Sequence, residues 1–129
     1  MGITYVVDHA RRRVLTRAEG LLTFAEMVAH IDAEMRERPP GYQELFDATG
    51  APTDLTAEQV QTMVQRGNQA SQKEPIGDVA IVATEPATFG LARMYSILCE
   101  QTGPRVEVFR TVADAELWLD SRRGAVGHC

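Results

Sequence analysis

The sequence predicts an α/β fold in which about four helices cover a mixed, mostly parallel sheet of about five strands. Short β-branched runs alternate along the chain with segments of helical periodicity, which is the pattern of βαβ units. One of these runs, Val79 to Ala83, is apolar throughout, as expected of a central strand that helices cover on both faces. The expected order of elements is β-β-α-β-α-β-α-β-α.

The first two strands are predicted to form an antiparallel hairpin that leads into a helix. Residues Ile3 to Asp8 are rich in β-branched side chains. After a short turn, the segment from Arg12 alternates Val14, Thr16 and Ala18 with Leu15 and Arg17, as the two faces of a strand require. Thr23 and Glu26 have the spacing of a capping box, which predicts the start of the first helix. This helix is expected to end at Pro39, because proline lacks a backbone N–H and disfavours a helical residue before it.

Strands and helices then alternate to the end of the chain. Residues Glu44 to Thr49 are a predicted third strand, and Thr56 with Gln59 repeats the capping-box spacing at the start of a second helix. A third helix is expected over Glu85 to Glu100. A last strand and a last helix follow, with Thr111 as the cap of that helix.

The length of 129 residues predicts one domain, residues 1–129, with a disordered tail over residues 122–129. A chain of this size buries about two-thirds of its unfolded surface, so it needs neither disulfides nor metal to fold. Cys99 is expected in the core and Cys129 as a mobile thiol, so a disulfide between them is not expected.

Charge and hydropathy exclude two classes of partner. The formal net charge of −5 argues against a nucleic-acid-binding protein, which needs a basic stripe to neutralise phosphates. The sequence contains no secretory signal pattern, and no apolar run approaches the ~20 residues that span a bilayer. We therefore expect a cytoplasmic protein.

Known catalytic and metal-binding patterns are absent from the sequence. Neither a P-loop nor a dinucleotide-binding glycine motif occurs, and His9, His30 and His128 are too far apart to form a recognisable metal site. His30 is expected on the exposed, polar side of the first helix. An enzyme built around Asp47 or Asp54 would lack a convergent acid, base and electrophile. We expect no catalytic activity, no metal and no cofactor.

The predicted helix Glu85 to Glu100 has more apolar surface than one core contact requires. Its apolar arc is roughly 200° wide, against about 100° for a helix packed on one core. Either neighbouring helices bury this arc within the domain, or it serves as a second contact surface for a partner, a twin subunit or an apolar ligand. On its polar side, Phe89 and Arg93 lie four residues apart, which allows a cation–π contact.

These segments resemble the SpoIIAA-like proteins related to the STAS domain, which are small bacterial chains. The resemblance rests on an apolar "AIV" strand, an "FG-ARMY" helix and a "VFR…A..WL" ending. The matching residues are Ala80 to Val82, Phe89, Gly90, Ala92 to Tyr95, Val108 to Arg110, Ala115, Trp118 and Leu119.

This resemblance implies a STAS-like fold, shared with lipid-transfer domains of the CRAL-TRIO type, and usually no enzymatic activity. The anti-sigma-factor antagonists of this group switch partners when a serine before the second helix is phosphorylated. Thr56 stands at that position and is the candidate phosphorylation site, whereas Ala57 replaces the glycine of the family pattern.

Two functional hypotheses follow. In the first, the chain is a non-catalytic module that binds a protein partner or forms a homodimer. In the second, it carries or senses a small apolar ligand or lipid, and Met27, Met35, Met63 and Met94 make an adaptable pocket lining plausible. The partner-binding residues of the first are Phe89, Leu91, Arg93 and Met94; the ligand-binding residues of the second are Met94, Tyr95 and Leu98.

Overall fold

The structure, a computed structural model, describes residues 2–73, 77–100 and 105–126. It contains the predicted elements in the predicted order: β1 (Gly2–Asp8), β2 (Arg13–Glu19), α1 (Phe24–Glu37), β3 (Gln43–Ala48), α2 (Ala57–Lys73), β4 (Val79–Ala83), α3 (Pro86–Cys99), β5 (Val106–Phe109) and α4 (Val112–Val126). Within these ranges, no helix is both long and apolar enough to cross a membrane.

The five strands form one sheet in the order β1-β2-β3-β4-β5. Strands β1 and β2 pair antiparallel, and each later neighbour pairs parallel. The prediction of a hairpin followed by parallel strands is therefore confirmed. Parallel pairing requires a crossover between strands, and each of the three parallel connections contains a helix.

Helices α1, α2 and α3 cover one face of the sheet, and α4 covers the other. Successive side chains of β3 point to opposite faces of the sheet and contact different helices. Phe46 packs in a cluster with Met27 of α1, whereas Leu45 packs with Ala115 and Leu119 of α4. Glu44 lies two residues before Phe46, so it faces the layer of three helices.

Three predicted helix caps are present. The Thr23 side chain accepts a hydrogen bond from the Glu26 backbone N–H. At α2 the box is reciprocal, because the Thr56 hydroxyl accepts from the Gln59 N–H at 3.2 Å and the Gln59 side chain accepts from the Thr56 N–H at 3.0 Å. Thr111 caps α4 through the Asp114 N–H at 3.2 Å.

The predicted disordered tail, residues 122–129, needs correction. Helix α4 continues through Arg122 and Arg123 and ends at Val126. Arg122 holds this end against the domain, because its Nε donates to Asp78 at 3.0 Å and its guanidinium lies over the Trp118 ring. Residues 127–129, and with them Cys129, lie outside the described residues.

Candidate functional site

A cavity of about 260 Å³ lies between the sheet and the three helices α1, α2 and α3. Met35 lines it and is 44% exposed, so the cavity reaches the surface near the end of α1. Most of its wall is apolar, with side chains that include Leu22, Met27, Ile31, Met35, Phe46, Leu55, Val60, Met63, Ile81 and Leu91.

Four charged side chains interrupt this apolar wall, and we refer to His30, Glu34, Arg38 and Glu44 as the charged cluster. His30 Nε2 lies 2.9 Å from Glu44 Oε2 and 3.1 Å from Glu34 Oε1. Arg38 Nη1 lies 3.2 Å from Glu34 Oε2 and 3.5 Å from Glu44 Oε1. Each carboxylate therefore contacts both cations.

Helical and strand periodicity bring the cluster together. His30, Glu34 and Arg38 follow one another at intervals of four residues, which places them along one side of α1 and its C-cap. Glu44 enters from β3 and also accepts a hydrogen bond from the Thr16 hydroxyl at 2.7 Å. The cluster thus connects α1 to the centre of the sheet.

Burial and mutual contacts shift the protonation of the cluster. Burial by itself lowers the pKa of His30, but the hydrogen bonds and charges of Glu34 and Glu44 outweigh it and raise this pKa to about 10. Burial opposes ionisation of Glu44 too, yet His30 and Arg38 lower its pKa to about 2. Burial and the Glu44 charge raise the pKa of Glu34 to about 7. Glu34 is therefore the member that titrates near neutral pH.

The cluster also contains a set of atoms that could hold a cation. His30 Nε2 and one oxygen each of Glu34 and Glu44 lie within 4.8 Å of one another. The expectation of no metal site rested on the separation of the histidines and on the absence of metal-binding motifs, and neither observation indicates this set. A metal would have to displace the proton of His30, and Arg38 already supplies positive charge to the same carboxylates. The geometry therefore favours the charge-balanced network over a metal centre.

Comparison with known proteins identifies the fold. No protein-family model matches the sequence, and no curated protein matches it either. Among solved structures, the chain resembles an uncharacterised protein of the DUF3478 family from Shewanella loihica PV-4, described as having a SpoIIAA-like fold. The TM-score is 0.55 at 18% sequence identity, over 92% of this chain and 94% of that one. This chain has a SpoIIAA-like fold.

The SpoIIAA-like fold agrees with the resemblance found in the sequence. Of the predicted ligand-binding residues, only some line the cavity. Leu91 and Tyr95 line the cavity. Met94 and Leu98 do not line it, and Leu98 is 37% exposed. Tyr95 is therefore the one predicted ligand-binding residue that lines the cavity. Leu91, which was predicted to bind a partner, lines it as well.

Helix α3 buries only part of its predicted apolar arc. Its buried residues are small or polar: Thr88, Ala92, Ser96 and Cys99. Of these, Ala92 and Cys99 belong to the arc, whereas Ser96 belongs to the predicted polar side. Small side chains let a helix lie close to a sheet, which explains why Ser96 is inside and Ile97 is 55% exposed. The apolar arc thus divides between the interior of the domain, the cavity wall and exposed surface.

Phe89 and Arg93 do not form the cation–π pair that their spacing allowed. The guanidinium of Arg110, which follows β5, lies 4.0 Å from the Phe89 ring centroid instead. Arg93 is exposed and Phe89 is half-buried. The partner of Phe89 comes from the connection between β5 and α4, which helical spacing within α3 cannot indicate.

The expectation that His30 is exposed is wrong. Its residue exposure is 5%, and the rings of Tyr5 and Phe46 each lie 5.6 Å from its ring in edge-on geometry. The face of α1 that carries His30 is buried because Glu44 of β3 provides a charged partner for it. Cys99, in contrast, is buried as predicted.

Asp47 and Thr56, two of the candidate residues outside the cavity, form local hydrogen bonds. Asp47 accepts a hydrogen bond from the Thr49 backbone N–H at 3.0 Å, which shapes the turn after β3. Asp54 is exposed. Thr56 is exposed as well as capping α2, and its phosphorylation stays a prediction.

Proposed function

We propose that this chain is a non-catalytic carrier or sensor of a small, largely apolar ligand, which binds in the cavity between the sheet and α1–α3. The observation that carries the proposal is the cavity itself: a largely apolar chamber that reaches the surface, with its charged groups confined to one cluster. A few fixed polar groups in an apolar concave wall are typical of small-molecule sites.

The size of the cavity limits the ligand. Its volume of about 260 Å³ lies below the ~300–1,000 Å³ of pockets for drug-sized molecules. We therefore expect a single short chain or ring rather than a lipid with two acyl chains. Met27, Met35 and Met63 line the cavity, and flexible thioether side chains adapt to ligands of different shape.

The methionines provide a direct test, because four of the five have known positions relative to the cavity. We expect a neutral apolar probe, 1-octanol, to shift the 13C-methyl NMR signals of Met27, Met35 and Met63. The signal of Met94, which does not line the cavity, serves as the internal control. Equal small shifts at Met94 and at the three lining residues would indicate non-specific binding and contradict the proposal.

A cavity-filling variant sharpens this test. Ala92 of α3 lines the cavity, so Ala92→Leu should occupy ligand space and weaken 1-octanol binding by about tenfold or more. The matched control is Ala87→Leu on the same helix, because Ala87 is exposed and does not line the cavity. Unchanged affinity in a folded Ala92→Leu protein would place the ligand elsewhere.

The other hypothesis, binding of a protein partner or self-association through α3, is a second candidate. Exposed Ile97 and Leu98, adjacent near the end of α3, favour it. If α3 mediates a homodimer, Ile97→Asp should convert it to a monomer in light scattering across a concentration series. A wild-type protein that is monomeric at every concentration, or a dimer that survives Ile97→Asp, would argue against this surface.

A further inference from the structure

We propose that the ligand carries a carboxylate on an apolar body and that this carboxylate binds the Arg38 guanidinium in place of Glu34. This inference rests on the proposed function and specifies the ligand class of the same cavity. It follows from the position of Arg38 and from the unequal attachment of the two glutamates.

Arg38 is placed to receive an acidic group from the cavity. It lines the cavity, and its side chain is 9% exposed. Its Nη2 donates to the Gly77 carbonyl oxygen at 3.3 Å, which anchors the guanidinium near the end of α1. A guanidinium presents its N–H groups in a planar fork that matches a carboxylate with two parallel hydrogen bonds.

The two glutamates that share Arg38 are held differently. Glu44 accepts from the Thr16 hydroxyl at 2.7 Å and lies 2.9 Å from His30, so it is fixed to the sheet and to α1. Glu34 contacts His30 and Arg38, and its side chain also hydrogen-bonds to Glu44, so these three partners are all members of the cluster. A protonated Glu34 can keep its hydrogen bond to Glu44 while it gives up Arg38, and the bond from Thr16 still holds Glu44 to the sheet.

Exchange of one carboxylate for another conserves charge if a proton is taken up. The ligand brings one negative charge, solvent supplies one proton to a Glu34 oxygen, and the ion pair of Arg38 passes from Glu34 to the ligand. Because burial and the Glu44 charge already raise the pKa of Glu34 to about 7, this proton is acquired at little cost near neutral pH.

A cationic ligand is accommodated less well. With Glu34 protonated, the cluster holds two cations, His30 and Arg38, and one anion, Glu44, so an added cation is repelled unless Glu34 releases its proton. Once ionised, Glu34 is already paired with His30 and Arg38. The network therefore accepts an added anion more readily than an added cation.

The other elements around Glu34 do not compete for this proton. From α3, Tyr95 faces the cavity, and burial followed by the nearby Cys99 raises the pKa of its phenol, which stays protonated. The described α2 residues in the wall, Val60, Met63 and Gly67, are uncharged. From β3, Glu44 has a pKa of about 2 and stays ionised.

The test compares octanoate with 1-octanol, which share an apolar chain, by titration of the methionine methyl signals. We expect octanoate to bind about tenfold tighter or more at pH 6.5, and its affinity to fall about tenfold per pH unit above pH 7. Octanol affinity should not change with pH. If octanol binds as well as octanoate, the inference is wrong. It is also wrong if octanoate affinity already falls tenfold per pH unit from pH 5.5 to 6.5, because that fall is expected when the uncharged acid is the species that binds. If neither compound binds, the proposed function fails instead.

Two variants separate the roles of the charged residues. Glu34→Gln should retain tight octanoate binding and lose its pH dependence between pH 7 and 9, because no proton is then taken up. Arg38→Met should abolish the preference for octanoate and leave octanol binding in place, and Arg38→Lys provides a charged replacement if Arg38→Met does not fold. An octanoate preference that persists in folded Arg38→Met would overturn the assignment.

Discussion

Replacing Glu44 with alanine is expected to lower the free energy of unfolding by about 3–5 kcal/mol, the cost of removing one partner from a buried ion pair. Glu44 has 6% side-chain exposure, and its removal leaves His30, Arg38 and Thr16 facing the gap. The two cations would then share one carboxylate partner within the cluster, Glu34. Urea denaturation followed by far-UV circular dichroism would measure the change as a shift in midpoint at constant slope.

Glu116→Ala is the matched control for this prediction. Glu116 also contacts an arginine, with Oε2 lying 3.8 Å from Arg11 Nη1, but both side chains are about half exposed at 43% and 54%. Exposed pairs contribute little, so we expect a change within about 0.5 kcal/mol. A loss below about 1 kcal/mol in Glu44→Ala would contradict the description of the cluster as a tightly paired buried network.

The order and type of the elements could be predicted because local rules specify them. The helix caps at Thr23, Thr56 and Thr111 are formed by residues three apart in sequence, and each is present in the structure. Strand β4 coincides with the apolar run Val79 to Ala83. Such features require no knowledge of the tertiary partner, which is why sequence patterns indicate them.

The candidate site could not be predicted by the same rules, because it joins residues whose partners lie on other elements. His30 was assigned to the polar side of α1, and polar residues usually face solvent. Two features of the sequence indicate that His30 is buried instead. Glu44 occupies the same face of β3 as the core residue Phe46, and His30, Glu34 and Arg38 form a charged stripe at intervals of four. A charged residue on the core face of a strand requires a buried counter-charge, and this stripe provides it.

The charged cluster should also make stability depend on pH, with its contribution greatest near pH 4.5–5. The pKa of Glu44 falls from 4.5 to about 2 on folding, so its stabilisation is present above pH 4.5 and is lost as pH falls toward 2. The pKa of Glu34 rises from 4.5 to about 7, so its contribution is full below pH 4.5 and is lost as pH rises to 7. The pKa of His30 rises from 6.5 to about 10, so its contribution is full below pH 6.5 and is lost as pH rises through 10.

The alkaline limb tests His30 most directly, because this side chain has the largest shift of the three and 3% exposure. We expect His30→Gln to destabilise the protein by on the order of a few kcal/mol at pH 6, and the difference from wild type to shrink steadily between pH 6.5 and 10. Urea denaturation of both proteins at intervals of half a pH unit would measure it, and subtraction cancels the titration of groups far from the cluster. A difference that stays constant to pH 10 would mean that His30 is neutral in the folded protein. The two carboxylates would then share no proton with it, and the charge balance that favours an anionic ligand would no longer hold.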